Sequence, residues 1–111
     1  MTFVYLNSDK MGSGDPELGR KLLAIFLQTL AASDTHVDVL GCVNEAVYLT
    51  TDGSQVLDSL RALEAKGTRI ATCGTCLDHL QRRELLRIGE VGTMAQTVQL
   101  FVSAERIIAP C

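Results

Sequence analysis

The sequence has no tryptophan, only two prolines, and aromatic residues at 5% of its 111 positions. No basic stripe with interleaved aromatics runs through it, and the net charge is −3, so it lacks the electrostatic footprint of a nucleic-acid-binding protein. No stretch approaches the ~20 consecutive apolar residues that span a bilayer. The chain opens at once on a strand-like run, Thr2 to Leu6, without a basic segment leading into an apolar stretch and a small-residue cleavage site. The cytoplasm is the expected location, with no membrane partner. No internal repeat or low-complexity tract breaks the pattern, and the length suits a single domain over residues 1–111.

What is present is a 47% apolar composition with 21% charged residues, the balance of a folding, mildly acidic globule. Short apolar runs alternate with longer segments of helical period, which predicts β-α units around a mostly parallel sheet. Thr2 to Leu6 is the first strand. A loop from Asn7 to Asp15 follows, with Asp15 placed to cap a helix and Pro16 suited to its first turn. That helix is expected to reach about Ser33 and to bury Leu18, Leu22, Ile25, Phe26 and Leu30. Val37, Val39 and Leu40 lead a second strand into Cys42, and Ala46 to Thr50 reads as a short strand or an extended loop. Asp52-Gly-Ser-Gln55 has the form of a capping box for a second helix, with Val56, Leu60 and Leu63 on one face and Gly67 at its end. The third strand runs from Thr68 to Thr72. After it come a short helix to about Gln81, a short strand around Ile88, a helix from Thr93 to about Ser103, and a last strand from Arg106 to Ala109.

Four cysteines remain to be explained: Cys42, Cys73, Cys76 and Cys111. With no export signal and a core of ordinary size, thiols are expected rather than a disulfide framework. Each cysteine follows a strand, and parallel α/β sheets gather their chemistry at the carboxyl ends of strands. All four are therefore expected on one edge of the sheet. Cys73-Gly74-Thr75-Cys76 stands at a strand-to-helix junction, where Cys76 would meet the unpaired N–H groups of a first helical turn. Arg82 and Arg83 add positive charge nearby, so a lowered thiol pKa is expected, with His79 one turn on as a base or hydrogen-bond partner. The plainer readings are that Cys42 is a small buried hydrophobe, that Cys111 is a frayed terminus, that His36 and His79 are surface histidines, and that the arginines form a solvated face.

Three other chemistries compete. Cys42, Cys73, Cys76 and His79 would make a tetrahedral zinc set, although a single Cys-x-x-Cys is half the usual ligand spacing. Thioredoxin-like exchange uses a similar pair, but here it lies two thirds along the chain, with no tryptophan before it and no proline beyond it except Pro110. Met11-Gly12-Ser13-Gly14-Asp15 stands where phosphate loops stand, yet it lacks the Gly-Lys-Ser/Thr signature, and Asp15 and Glu17 repel an anion. It suits a loop that shapes a small pocket beside the cysteines, or a flexible connection.

Taken in order, Asn7-Ser8-Asp-Lys-Met-Gly12-Ser-Gly14-Asp15-Pro-Glu-Leu-Gly19, Asp52-Gly-Ser54, Cys73-Gly-Thr-Cys-Leu-Asp78 and Gly89-Glu-Val-Gly-Thr-Met94 resemble the DsrE/DsrF-like family. The likeness is strongest to the DsrE-like C-terminal domain of YedF proteins, associated with selenium metabolism, and covers nearly the whole chain. It implies a three-layer α/β/α sandwich around a five-stranded parallel sheet, a homo-oligomer (trimer or hexamer), and a sulfurtransferase-like role relaying sulfur or selenium as a cysteine persulfide. On that resemblance one of Cys73 and Cys76 holds the sulfur and the other resolves the persulfide, forms a disulfide or is a spectator; Asn7, Ser8, Gly12, Gly14, Asp15, Cys42, Asn44, Gly74, Thr75 and His79 are expected to form the pocket or support it, with no resident cofactor or metal. A preceding TusA-like carrier domain is usual in YedF proteins, and this chain begins directly with the DsrE-like part. The expected partner is thus a separate sulfur donor or acceptor, TusA-like or a cysteine desulfurase. The alternative is a non-catalytic oligomeric module whose cysteine pair binds zinc or acts as a redox switch.

Overall fold

The computed structural model describes residues 1–111, which form one five-stranded sheet, every pairing in it parallel. The strands are β1 (Thr2–Leu6), β2 (Val39–Cys42), β3 (Arg69–Cys73), β4 (Glu90–Gly92) and β5 (Arg106–Ile108), in the spatial order β4-β3-β2-β1-β5. The helices are α1 (Pro16–Ala32), a short α2 (Val47–Thr50), α3 (Leu57–Ala65), α4 (Gly74–His79) and α5 (Met94–Ser103). From β1 to β4 the chain steps across the sheet in one direction, and then it jumps back to place β5 beyond β1. Right-handed crossovers put helices of opposite stepping direction on opposite faces. Helices α1 and α3 accordingly share one face, and α5 lies alone on the other, giving three layers.

The crowded face holds the main core. Val4, Leu6, Leu40, Cys42 and Ile70 point from adjacent strands onto Leu23, Leu27, Leu60 and Leu63, all essentially without solvent exposure. On the opposite face Phe3, Tyr5 and Phe101 form a cluster of tilted and edge-on rings, with centroids 4.9 to 6.1 Å apart.

Helix α1 begins as the sequence dictates, with the Asp15 carboxylate accepting the Glu17 N–H and Pro16 at the first position. Its buried stripe, however, is Gly19, Leu23, Leu27 and Leu30, whereas Leu18, Leu22 and Ile25 are 40–52% exposed. Apolar residues occupy more than half of this helix's circumference, so periodicity alone does not choose between the two stripes. Gly19 chooses: its N–H bonds the Asp15 carbonyl, its carbonyl accepts the Met11 N–H, and a Cβ there would meet Lys10 Cβ at 2.9 Å. The incoming loop therefore presses on the Gly19 side and turns that stripe inward.

Two further expectations are corrected. Ala46 to Thr50 is neither strand nor extended loop, because Asn44–Ala46 form a 3-10 turn that runs into α2, burying Ala46, Val47, Leu49 and Thr50. The Asp52–Gln55 capping box does not form. Asp52 is held instead by Arg87 and by its own N–H to the Leu85 carbonyl, and α3 starts later, behind Val56. The end of α3 is as expected: Gly67 takes φ +100°, its N–H bonds Glu64 and the Thr68 N–H bonds Leu63, a Schellman closure. The capping box of the molecule lies at Thr93 and Gln96, opening α5.

Candidate functional site

Strand β3 delivers Cys73 at its carboxyl end and α4 begins at the next residue, so Cys73 is the residue before the helix and Cys76 lies in its first turn. All four cysteines are free thiols. Cys73 is 7% exposed and Cys76 is partly exposed, and the two cysteines lie close together. Gly74 belongs to the packing: a Cβ there would meet Arg83 Nη2 at 2.9 Å and Val91 Cγ1 at 3.0 Å. Thr75 is exposed.

The second contributor is Asn44. It has φ +54°, the left-handed region that a side chain occupies at a cost, and its backbone N–H donates to Cys76 Sγ at 3.1 Å. This turn is anchored from behind. The Lys10 ammonium bonds Asp9 at 2.6 Å and reaches Glu45 at 3.4 Å, tying the loop after β1 to the residue next to Asn44. The Asp9 carboxylate holds the Lys10 pKa above the ordinary lysine value. Asp9 and Lys10 were not singled out by sequence reasoning, although both lie inside the Asn7 to Gly19 motif; their role depends on meeting Glu45 across the sheet edge.

Expected charge support for the thiols is not what the fold supplies. Burial pushes the Cys76 thiol up, and the Cys73 thiol beside it adds to that, while the Asn44 N–H only partly offsets the shift. Arg82 is engaged elsewhere, bonding Thr51 Oγ1 at 2.8 Å and the Asp52 carbonyl at 2.6 Å and lying over the Tyr48 ring. Arg83 forks onto Asp78 at 2.7 and 3.0 Å, and holds that carboxyl below the usual range. His79 is exposed and makes no hydrogen bond or ion pair, so it is not placed as a base for Cys76.

The cysteines do follow strands, but they divide between the two faces of the sheet. Cys42 pairs in register with Thr72, the neighbour of Cys73, so their side chains point to opposite sides. Cys42 is buried in the main core, where desolvation pushes its thiol up to about 12, with a smaller contribution from Cys111. Cys111 is not frayed: it packs on that core, its Sγ 3.9 Å from the Ser8 carbonyl oxygen. Cys42, Cys73, Cys76 and His79 are therefore not assembled as ligands, and no group of three or more His, Cys, Asp or Glu side chains is positioned to hold a metal ion.

A cavity of about 410 Å³ lies between the sheet and α5 and reaches Cys73. It is lined mainly by Phe3, Tyr5, Gly41, Ala71, Gly92 and Leu100. Asn7, Ser8, Gly12, Gly14 and Asp15 do not line it. Gly12 and Gly14 sit in an exposed loop, and Ser8 Oγ accepts the Lys10 N–H at 3.0 Å. The cavity had one legible signal, the small residues Gly41, Ala71 and Gly92, but their adjacency exists only once the strands are in register.

No protein-family model and no curated protein sequence matches the chain. Solved structures do. The YchN protein of E. coli superposes with a TM-score of 0.74 at 20% identity, over 97% of each chain. MTH1491 of Methanobacterium thermoautotrophicum, described as a protein of unknown function, superposes with a TM-score of 0.72 at 16% identity, over 98% of this chain and 97% of that one. No helix is long and apolar enough to cross a membrane. The five parallel strands and their helices make this chain an α/β protein with the DsrE/YchN-like fold.

Proposed function

We propose that this protein is a sulfurtransferase-like relay that carries sulfur, or selenium, as a persulfide on the Cys73/Cys76 pair. The observation that carries the reading is the closeness of two free thiols at the carboxyl end of β3, with the Asn44 N–H donating to one of them. A persulfide places a polarisable, more acidic sulfur one bond beyond Sγ, and an N–H fixed against Sγ stabilises the thiolate that is the leaving group when this sulfur moves on. The resemblance of the quoted motifs to YedF proteins supports the same chemistry, with a separate TusA-like carrier or a cysteine desulfurase as partner in the cytoplasm.

A homo-oligomer, trimer or hexamer, is part of the proposal. Its support is the apolar surface on and around α5, where Val91, Met94, Val98, Phe101, Val102 and Ile107 are 40–79% exposed. The closeness of the thiols also favours a second reading, a redox switch closing a Cys73–Cys76 disulfide. A redox titration that leaves both thiols reduced across the cytosolic range removes it.

The relay is tested by incubating the reduced protein with a cysteine desulfurase and cysteine. Mass spectrometry is expected to find one added sulfur atom on the peptide holding Cys73 and Cys76. Absence of that adduct, together with inertness of both thiols to alkylation at neutral pH, overturns the proposal.

A further inference from the structure

The cavity under α5 gives the two thiols of the pair different surroundings. Helix α5 buries none of its residues; Phe101 packs on Phe3 and Tyr5, and the rest of the space beneath the helix is open. Its floor is the row of Gly41 and Ala71, adjacent in register, with Gly92 beside Cys73 on the next strand. Phe3, Tyr5 and Leu100 supply apolar walls. Cys73 lines the cavity at the carboxyl end of β3, about 13 Å along the strand from Arg69 at the other end, at ~3.3 Å per residue. Cys76 does not line it; its Sγ accepts the Asn44 N–H on the β2–α2 turn, on a more exposed part of the edge.

Resting on the relay reading above, we propose that this cavity binds a small sulfane-sulfur donor with an apolar, aryl-sized body, that Cys73 takes the sulfur there, and that Cys76 presents it to the partner. A volume of about 410 Å³ is within the range of small-molecule pockets, which run to roughly 300–1,000 Å³. The Phe3 ring already covers Gly41, 3.1 Å from where a Cβ would stand, so a flat ring is placed over Ala71 with its edge on the Phe3 ring. An inorganic donor has no apolar body to exchange for water there, so the cavity discriminates by burial. The chemistry balances without an oxidant. The Cys73 thiolate attacks the outer sulfur of a thiosulfonate, R–SO2–S⁻; the new S–S bond forms to Cys73, and the old one breaks with its electron pair leaving on the sulfinate, R–SO2⁻. Once that persulfide is protonated, the Cys76 thiolate attacks its terminal sulfur, giving the Cys76 persulfide and a Cys73 thiolate.

The test loads the full chain with benzenethiosulfonate or with thiosulfate at equal concentration, following persulfide formation by mass spectrometry. Loading from the aryl donor is expected to be about ten-fold faster or more, because only that donor fills the cavity. Ala71→Leu, which raises a side chain from the floor, is expected to remove the preference for the aryl donor. Cys73→Ser is expected to block loading from the aryl donor, and Cys76→Ser to leave the sulfur on Cys73. Benzenesulfinate, the leaving group with no sulfur to transfer, is expected to shift the amide NMR signals of Ala71 and Gly92 in the unmodified protein, a readout that needs no variant to fold. Equal rates from both donors, aryl loading that survives Cys73→Ser, or no benzenesulfinate shift at those amides overturns the cavity proposal. If neither donor loads any cysteine while benzenesulfinate still shifts those amides, the relay reading fails and the binding site stands.

Discussion

Cys42 and Cys76 are both thiols whose ionisation the fold opposes, and the consequences differ because only one of them is enclosed. Cys42 titrates near 9.0 when solvated and is pushed up to about 12 by burial. Its neutral form stabilises the native state in full below pH 9.0. Above that the unfolded chain loses a proton that the folded chain keeps, so each pH unit removes about 1.4 kcal/mol until the folded thiol titrates near 12. Urea unfolding of the native sequence and of Cys42→Ala is expected to diverge in slope between about pH 9 and about pH 10.5, the native sequence losing about 2 kcal/mol more. Parallel slopes contradict the assignment. The Cys73-Gly-Thr-Cys76 pair was legible as a candidate site in the sequence because it stands at a strand end, whereas nothing local in the sequence marks Asn44. The direction of the Cys76 shift was not legible, since desolvation and the engagement of Arg82 by Thr51 and Asp52 depend on contacts across the chain.

At the scale of elements, α1 shows how a helix with too much apolar surface is oriented. Leu23 has no solvent exposure and Leu22, its neighbour, is 40% exposed. Leu23→Ala is expected to cost about 2–5 kcal/mol, whereas Leu22→Ala is expected to stay within about 0.5 kcal/mol of the native protein by chemical denaturation. Equal costs contradict the stripe described here. The other four strands, the Asp15 cap and the Gly67 closure could be read in advance because their signals are local: a proline at the first helical position, a glycine able to take φ +100°; the strand expected around Ile88 lies at Glu90–Gly92 instead, with Ile88 buried in the core. The choice of stripe could not, because the chain pressing on Gly19 returns from the preceding loop. The Asp52–Gln55 motif misled for a related reason: Arg87 and Leu85, distant in sequence, take the Asp52 groups that a cap needs.

For the whole molecule, the reversal of stepping direction after β4 determines how the two faces are used. One face is sealed by α1 and α3; the other carries α5 alone, with a cavity beneath it and apolar residues outside it. That outer surface is the proposed subunit contact, and Val98, half exposed and central in α5, is its most direct probe. Val98→Glu is expected to shift the assembly to smaller species in light scattering while leaving the circular dichroism spectrum unchanged, because a charge at the core of an apolar interface costs several kcal/mol. A native chain that is already monomeric contradicts the oligomer proposal. The parallel α/β class was visible from the alternation of short apolar runs with helical periods. The cavity was not, since it arises from what α5 leaves uncovered.

The claim at the centre of this account is that the Cys73/Cys76 pair, and no other thiol of the chain, carries sulfane sulfur. Cold cyanolysis of protein loaded by a sulfur donor measures that sulfur directly, for the native chain and for the Cys73→Ser, Cys76→Ser double variant. One cyanolysable sulfur per native chain and none in the double variant are expected, with Cys42 silent in its core. Equal sulfur in both proteins, or none in either, contradicts that claim.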